Sequence, residues 1–113
     1  MAYQVPTIIL LGQGTTTTSA VTLYTVPAVS RTFLESIDVV NTNSTTTTFD
    51  IYLVPSGGTA GTANALFYQQ SLIAKQNLQW SGLQVLNAGY KIQIKASATG
   101  ITIIASGETY EYN

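Results

Sequence analysis

Tyr90-Lys91-Ile92-Gln93-Ile94-Lys95-Ala96 decides the fold class. Tyr90, Ile92, Ile94 and Ala96 alternate strictly with Lys91, Gln93 and Lys95. Successive side chains of a strand point to opposite faces, so this stretch puts its apolar set on one side and both lysines on the other. A helix would scatter the same lysines around its circumference. The pattern repeats elsewhere: Phe49, Ile51 and Leu53 alternate with Asp50 and Tyr52. β-Branched and aromatic residues, which suit a pleated and half-buried surface, fill residues 20–26, 33–40, 83–86 and 101–104.

Glycine, proline, asparagine and serine break the chain at residues 12–14, 27–30, 41–44, 55–61, 81–82, 87–89, 97–100 and 106–107. Most segments between them hold one strand and are too short for an average helix. Many short strands with evenly spaced turns predict an all-β fold, a single-domain antiparallel β-sandwich of about eight strands, jelly-roll or Ig-like. The 113 residues fit one domain. Within it, residues 1–14 read as an N-terminal strand or extended arm and residues 15–113 as the sandwich. Residues 62–75 admit a short helix with Thr62 as N-cap, but a strand over 65–70 followed by a turn is the better reading. The runs Thr15–Thr18 and Thr45–Thr48 each precede a strand and a Val-Pro, which fits either an internal duplication or two uncharged edges.

Charged residues make up only 8% of the chain, with four basic side chains against five acidic ones, and there is no histidine or cysteine. These counts leave no basic footprint for nucleic acid. They also leave no thiol chemistry, no Cys or His metal site and no histidine base, so no catalytic residue, cofactor or metal is expected. The apolar run from Val5 to Leu11 has seven residues, against about 20 for a bilayer span, and no basic residue precedes it, so no membrane partner is expected. A net charge of −1 with 18 threonines gives a surface of little mutual repulsion, which favours association.

The remaining chemistry is thin. Asp38 and Asp50 would approach each other if their strands paired across residues 41–44, as a glycosidase pair must; the plainer reading leaves both facing solvent. Glu108 and Glu111 lack the cluster of oxygen ligands that calcium needs. Gly12-Gln13-Gly14 is a turn without the lysine and helix of a phosphate loop. Trp80 shares a strand face with Leu78 and reads as core; beside Tyr52 or Tyr68 it would instead offer a sugar-stacking platform.

Contacts with other chains are the better expectation. Residues 3–11, with Tyr3, Val5, Pro6 and Ile8, form either a first strand or an arm that adds to a neighbour's sheet edge, where Pro6 is tolerated. Ser56, Gly57 and Gly58 lie in a glycine-rich loop that is expected to order only against a partner. Tyr110 and Tyr112 flank Glu111 in either a last edge strand or an adhesive tail.

Three stretches carry a resemblance. They are Val21-Thr22-Leu23-Tyr24-Thr25-Val26-Pro27-Ala28 leading through Arg31-Thr32, Ile51-Tyr52-Leu53-Val54-Pro55-Ser56-Gly57-Gly58 followed by Ala63-Asn64-Ala65-Leu66, and Leu86-Asn87-Ala88-Gly89 followed by Ile92 and residues 101–107. Over residues 15–107 the chain resembles a small all-β virion module of tailed bacteriophages, found in capsid decoration (cement), head-fibre and tail-associated proteins. Similar modules carry Gly-Lys after the Val-Pro-Ala and Asp after the Asn-Ala-Gly, where Val29-Ser30 and Tyr90 stand here. The resemblance implies a structural protein of the capsid surface, made in the host cytoplasm and without enzymatic activity. Its implied partners are the major capsid protein and its own copies in a homotrimer. Such proteins have no catalytic motif to carry over.

Overall fold

The computed structural model describes residues 8–112. Tyr3, Val5 and Pro6 lie outside the described residues. Eight strands follow one another: β1 (Ile8–Thr15), β2 (Val21–Thr25), β3 (Ser30–Asn41), β4 (Thr47–Val54), β5 (Ala65–Leu72), β6 (Asn77–Leu86), β7 (Lys91–Ala96) and β8 (Ile101–Glu111). They make two four-stranded sheets, a first in the order β1-β8-β3-β6 and a second in the order β2-β7-β4-β5. Strands from the two halves of the chain pair as mirror images: β1 with β8, β2 with β7, β3 with β6 and β4 with β5, all antiparallel. One long hairpin wrapped over itself in this way is a jelly roll, so the expected all-β sandwich takes that form and not the Ig-like one.

Alternation fixes which side chains enter the core. Ile92, Ile94 and Ala96 of β7 point inward and are buried, while Lys91, Gln93 and Lys95 point out. Leu34, Ile37 and Val39 of β3 meet Phe49 and Ile51 of β4 across the sandwich, with Ile101, Ile103 and Ala105 of β8 beside them. Phe49 and Phe67 pack ring against ring at 5.4 Å. Trp80 lies opposite Ile37 on the inner face and packs on this core, as its spacing from Leu78 predicts.

Three expected breaks turn out to be strand interior. Residues 12–14, 81–82 and 106–107 belong to β1, β6 and β8. They mark a line of β-bulges across the first sheet. Leu11 is the extra residue of β1 against β8, Glu35 is the extra residue of β3 against β8, and Gly82 and Leu83 oppose Glu35 on β6. Bulges bend a sheet and glycine accommodates them, so the same residues that read as turns serve as bends. At Gly107 the backbone of β3 comes so close that a Cβ would run into the Phe33 carbonyl. At the turn from β6 to β7, Gly89 takes φ 84° as expected.

Residues 62–75 resolve as a single 3-10 turn, Thr62–Asn64, followed by β5, so the strand reading holds. Residues 41–44 do not make a hairpin. They carry the chain from the first sheet to the second, and β3 and β4 do not pair. Asn41, fully buried, holds this crossing: its Nδ2 donates to the carbonyls of Thr45 and Leu72 at 2.9 Å, and its Oδ1 accepts from the Asn43 amide at 2.9 Å. At the other end the Tyr24 hydroxyl reaches from the second sheet to Thr32 (3.0 Å) and Thr109 (2.8 Å) of the first, and those two hydroxyls lie 2.8 Å apart.

Candidate assembly surface

Register gathers the described contact candidates at one end of the sandwich. Ile8 begins β1 opposite Glu108, near the close of β8. Ser30 at the start of β3 faces Glu111 at the end of β8. Val54 at the end of β4 faces Lys91 at the start of β7, and the loop holding Ser56, Gly57 and Gly58 leaves from there. Ile8 is 68% exposed and Tyr112 51%. The opposite end is built from Asn41, Asn43 and the threonines around them, with an exposed Ile73 beside Asn41.

The glycine-rich loop carries hydrogen bonds of its own. Gly58 N–H closes a turn onto the Pro55 carbonyl at 2.9 Å. Gly61 N–H donates to Asn64 Oδ1 at 3.1 Å, and Asn64 Nδ2 to the Thr59 carbonyl at 3.0 Å. Ser56 lies against Gly89 in the neighbouring turn.

Tyr110 belongs to the last strand, as one of the two readings has it, but that strand is not an edge. β8 lies inside the first sheet between β1 and β3, so Tyr110 is neither an edge nor a tail residue. Its ring stacks on Phe33 at 5.7 Å with an interplanar angle of 29°. Its hydroxyl accepts from Arg31 at 3.3 Å, and the same guanidinium sits 5.6 Å from the centre of the Tyr112 ring. Tyr112 continues past β8, its amide bonded to the Val29 carbonyl at 3.0 Å.

Two pleats along the same outer face, Glu35 and Glu108 stand together. The Glu108 carboxylate raises the pKa of Glu35 above the ordinary glutamate range, first through a shared hydrogen bond, then with partial desolvation and direct repulsion. Around this pair are apolar side chains: Val85 of β6, opposite Phe33, is 50% exposed, and Leu10 of β1 is 55% exposed. The sequence reading missed Arg31, Phe33 and Glu35 as surface partners. Their i, i+2, i+4 spacing was the available signal, but the Glu35 bulge breaks the alternation just beyond them.

Other candidates are separated. Asp38 and Asp50 lie in different sheets, so no carboxylate pair forms. Asp50 is buried and not solvent-facing. Its Oδ2 accepts from the Tyr52 hydroxyl at 2.7 Å and its Oδ1 from the Gln69 amide at 2.6 Å. Gln69 is the αL residue (φ 49°) of a bulge in β5, and Asp50 satisfies the amide that this bulge removes from the ladder. Burial and the Asp50 carboxylate push the Tyr52 hydroxyl up to about 12. Tyr52, Tyr68 and Trp80 make no common platform, because Tyr52 is buried in the second sheet and Trp80 faces the core from the first. Among the described residues no three His, Cys, Asp or Glu side chains come together as metal ligands, and no helix is long and apolar enough to cross a membrane.

The distribution of charge is the most informative feature. The edge strands β1, β6, β2 and β5 contain no charged residue and no proline. Every charge except Lys75 lies on the four inner strands β3, β4, β7 and β8. Lysines and prolines on edge strands normally block pairing with other chains. Here that protection is missing from all four edges.

No known protein family matches this sequence, and no curated protein matches it. Among solved structures, a chain in the structure of the infectious bursal disease virus Gx strain is similar at 14% identity with a TM-score of 0.39, covering 93% of this chain and 30% of that one. This chain therefore spans less than a third of that viral chain. A superposition this loose does not separate one β-sandwich from another.

Proposed function

We propose that the protein is a structural component of a virion, a capsid decoration (cement) protein with no enzymatic activity. It binds the outer shell where copies of the major capsid protein meet, as a homotrimer made in the host cytoplasm. It needs no nucleic acid, membrane or cofactor. The observation that carries this reading is the set of four uncharged edges, with every strand charge kept on the inner strands. Such edges are a liability for a free monomer and an asset for a protein whose end state is an assembly. The jelly roll is compatible, since capsid domains use it, although a fold alone does not assign a role. The resemblance over residues 15–107 supplies the tailed-phage setting.

The mechanism is mechanical. Apolar and edge contacts to several shell subunits oppose the outward pressure of packaged nucleic acid, and several modest contacts on one trimer add to firm attachment. The test compares particles with and without the protein under heat and low salt. Decorated particles are expected to rupture at higher temperature; equal resistance refutes the reinforcing role. Copy number separates the nearest alternative: hundreds per particle mark decoration, whereas a dozen or fewer mark a head-fibre, tail or adaptor part.

A further inference from the structure

The geometry points to a second copy of this chain as the occupant of the free edge of β6, paired antiparallel along residues 77–81 about a two-fold axis at Gln79. Such pairing rests on the edges being contact surfaces, as proposed above, and fixes which edge meets which partner. All four edges lack charge, but β6 offers the longest regular template. Residues 77–81 stay in unbroken register with residues 36–40 of β3. By contrast, β1 is interrupted at Leu11, β2 between Thr22 and Tyr24, and β5 at its Gln69 bulge. Bulges and short runs disfavour pairing with another chain. Lys75, just before β6, is turned back onto its own chain, its ammonium donating to the Thr42 carbonyl at 2.8 Å.

Backbone direction and side chains select the same register. The Asn41 amide donates to the Gln76 carbonyl at 2.9 Å, while the Thr42 amide points the other way, to the Gly100 carbonyl at 2.9 Å. Backbone groups alternate sides along a strand, so residues 76, 78 and 80 turn theirs toward β3. Asn77, Gln79 and Ser81 turn theirs to the free side, where among the described residues no further strand lies beside β6. An antiparallel copy centred on Gln79 satisfies all three: each Gln79 amide donates to the other Gln79 carbonyl, and Asn77 exchanges the same pair of bonds with Ser81. The stretch Asn77-Leu78-Gln79-Trp80-Ser81 alternates polar and apolar residues symmetrically about Gln79. Leu78 of each copy therefore falls beside Trp80 of the other on the inner face. Both pack on the core but are only half-buried, because the sandwich stops at their outer flank. On the outer face the exposed Asn77, Gln79 and Ser81 meet one another. Moving the axis to Trp80 runs each strand into the bulge at Gly82 and Leu83, and moving it to Leu78 runs it into the turn before Asn77. The edge is thus complementary to itself, as a two-fold contact requires.

Sedimentation equilibrium of the purified full chain, from micromolar to millimolar concentration, tests this. The wild type is expected to approach twice its 12.0 kDa mass, or twice that of the proposed trimer where the trimer also forms. Gln79→Lys and Gln79→Glu each set like charges against one another at the axis and are expected to weaken association about tenfold. An equal mixture of the two recovers it, because lysine then meets glutamate. Position 79 is exposed, so thermal unfolding of either variant at high dilution is expected to match the wild type. Gln13→Lys, at an exposed position of the β1 edge, is expected to leave association unchanged. The emission of Trp80, the single tryptophan, is expected to shift to the blue with concentration in the wild type and not in Gln79→Lys. A wild type that stays monomeric throughout overturns the inference, as does a mixture no stronger than its parts. A three-chain mass that no Gln79 substitution alters also overturns it, and leaves the trimer standing. None of these outcomes bears on the rupture of decorated particles, so the virion role stands or falls on that separate measurement.

Discussion

Asp50 shows how one buried side chain can be mistaken for a surface one. By alternation it belongs to the outer face of β4, opposite Lys95, and the sequence puts it in water. The bulge in β5 is what covers it, and nothing in the residues 65–72 announces a bulge at Gln69. The Tyr52 hydroxyl is its partner, and this has a consequence for pH. The unfolded chain gives up the tyrosine proton near pH 10, whereas the folded chain holds it to about 12. The contribution is therefore intact below pH 10 and is lost as pH rises through 12, on the order of 2 kcal/mol in all. Tyr52→Phe is expected to flatten this alkaline limb in denaturant titrations at stepped pH, at a cost of about 1–2 kcal/mol at neutral pH for the hydrogen bond that Asp50 loses. Gly107 makes a second residue-scale prediction. Because the Phe33 carbonyl occupies the space of a Cβ there, Gly107→Ala is expected to destabilise the fold by about 3 kcal/mol, read as a lower urea midpoint at constant slope.

Among the strands, β7 was legible in full, because strict alternation over six residues leaves one way to place it. β6 and β8 were legible only in part: their glycines read as punctuation, and only the paired neighbours make Gly82 and Gly107 bends within continuous strands. Turn chemistry is local, whereas a bulge is set by the register of another strand, which is why the former was readable and the latter was not. The same limit hid the arginine–aromatic–carboxylate row, since Glu108 comes to it from β8. That cross-strand pairing can be tested by itself. The shared hydrogen bond and repulsion raise Glu35 in the folded state, so folding gains as pH falls through its titration range and loses that gain as pH rises through it. Glu108→Gln is expected to give a small rise in melting temperature near pH 7. The gain should shrink as pH falls and Glu35 takes up its proton, which removes the repulsion that the substitution relieves.

At the scale of the molecule, the sequence yielded the sandwich but not its wiring. Jelly-roll and Ig-like sandwiches use the same alternation and differ in which strands meet, and that choice is made by contacts far apart in the chain. Here the first strand pairs with the last, the second with the seventh, and so on inward. Folding must close nearly the whole chain before its outer pairs form, so single-exponential refolding in the millisecond-to-second range is expected by stopped-flow fluorescence of Trp80. A microsecond phase carrying the full amplitude would contradict it.

The two poles of the sandwich are chemically unlike, and that invites an engineering use. Ile8 and Tyr112 emerge at one pole, while the exposed turn around Ser44 sits at the other, held from beneath by Asn41. A peptide epitope spliced in at Ser44 would be displayed on the side away from Ile8 and Tyr112, so the scaffold is suited to arraying antigens.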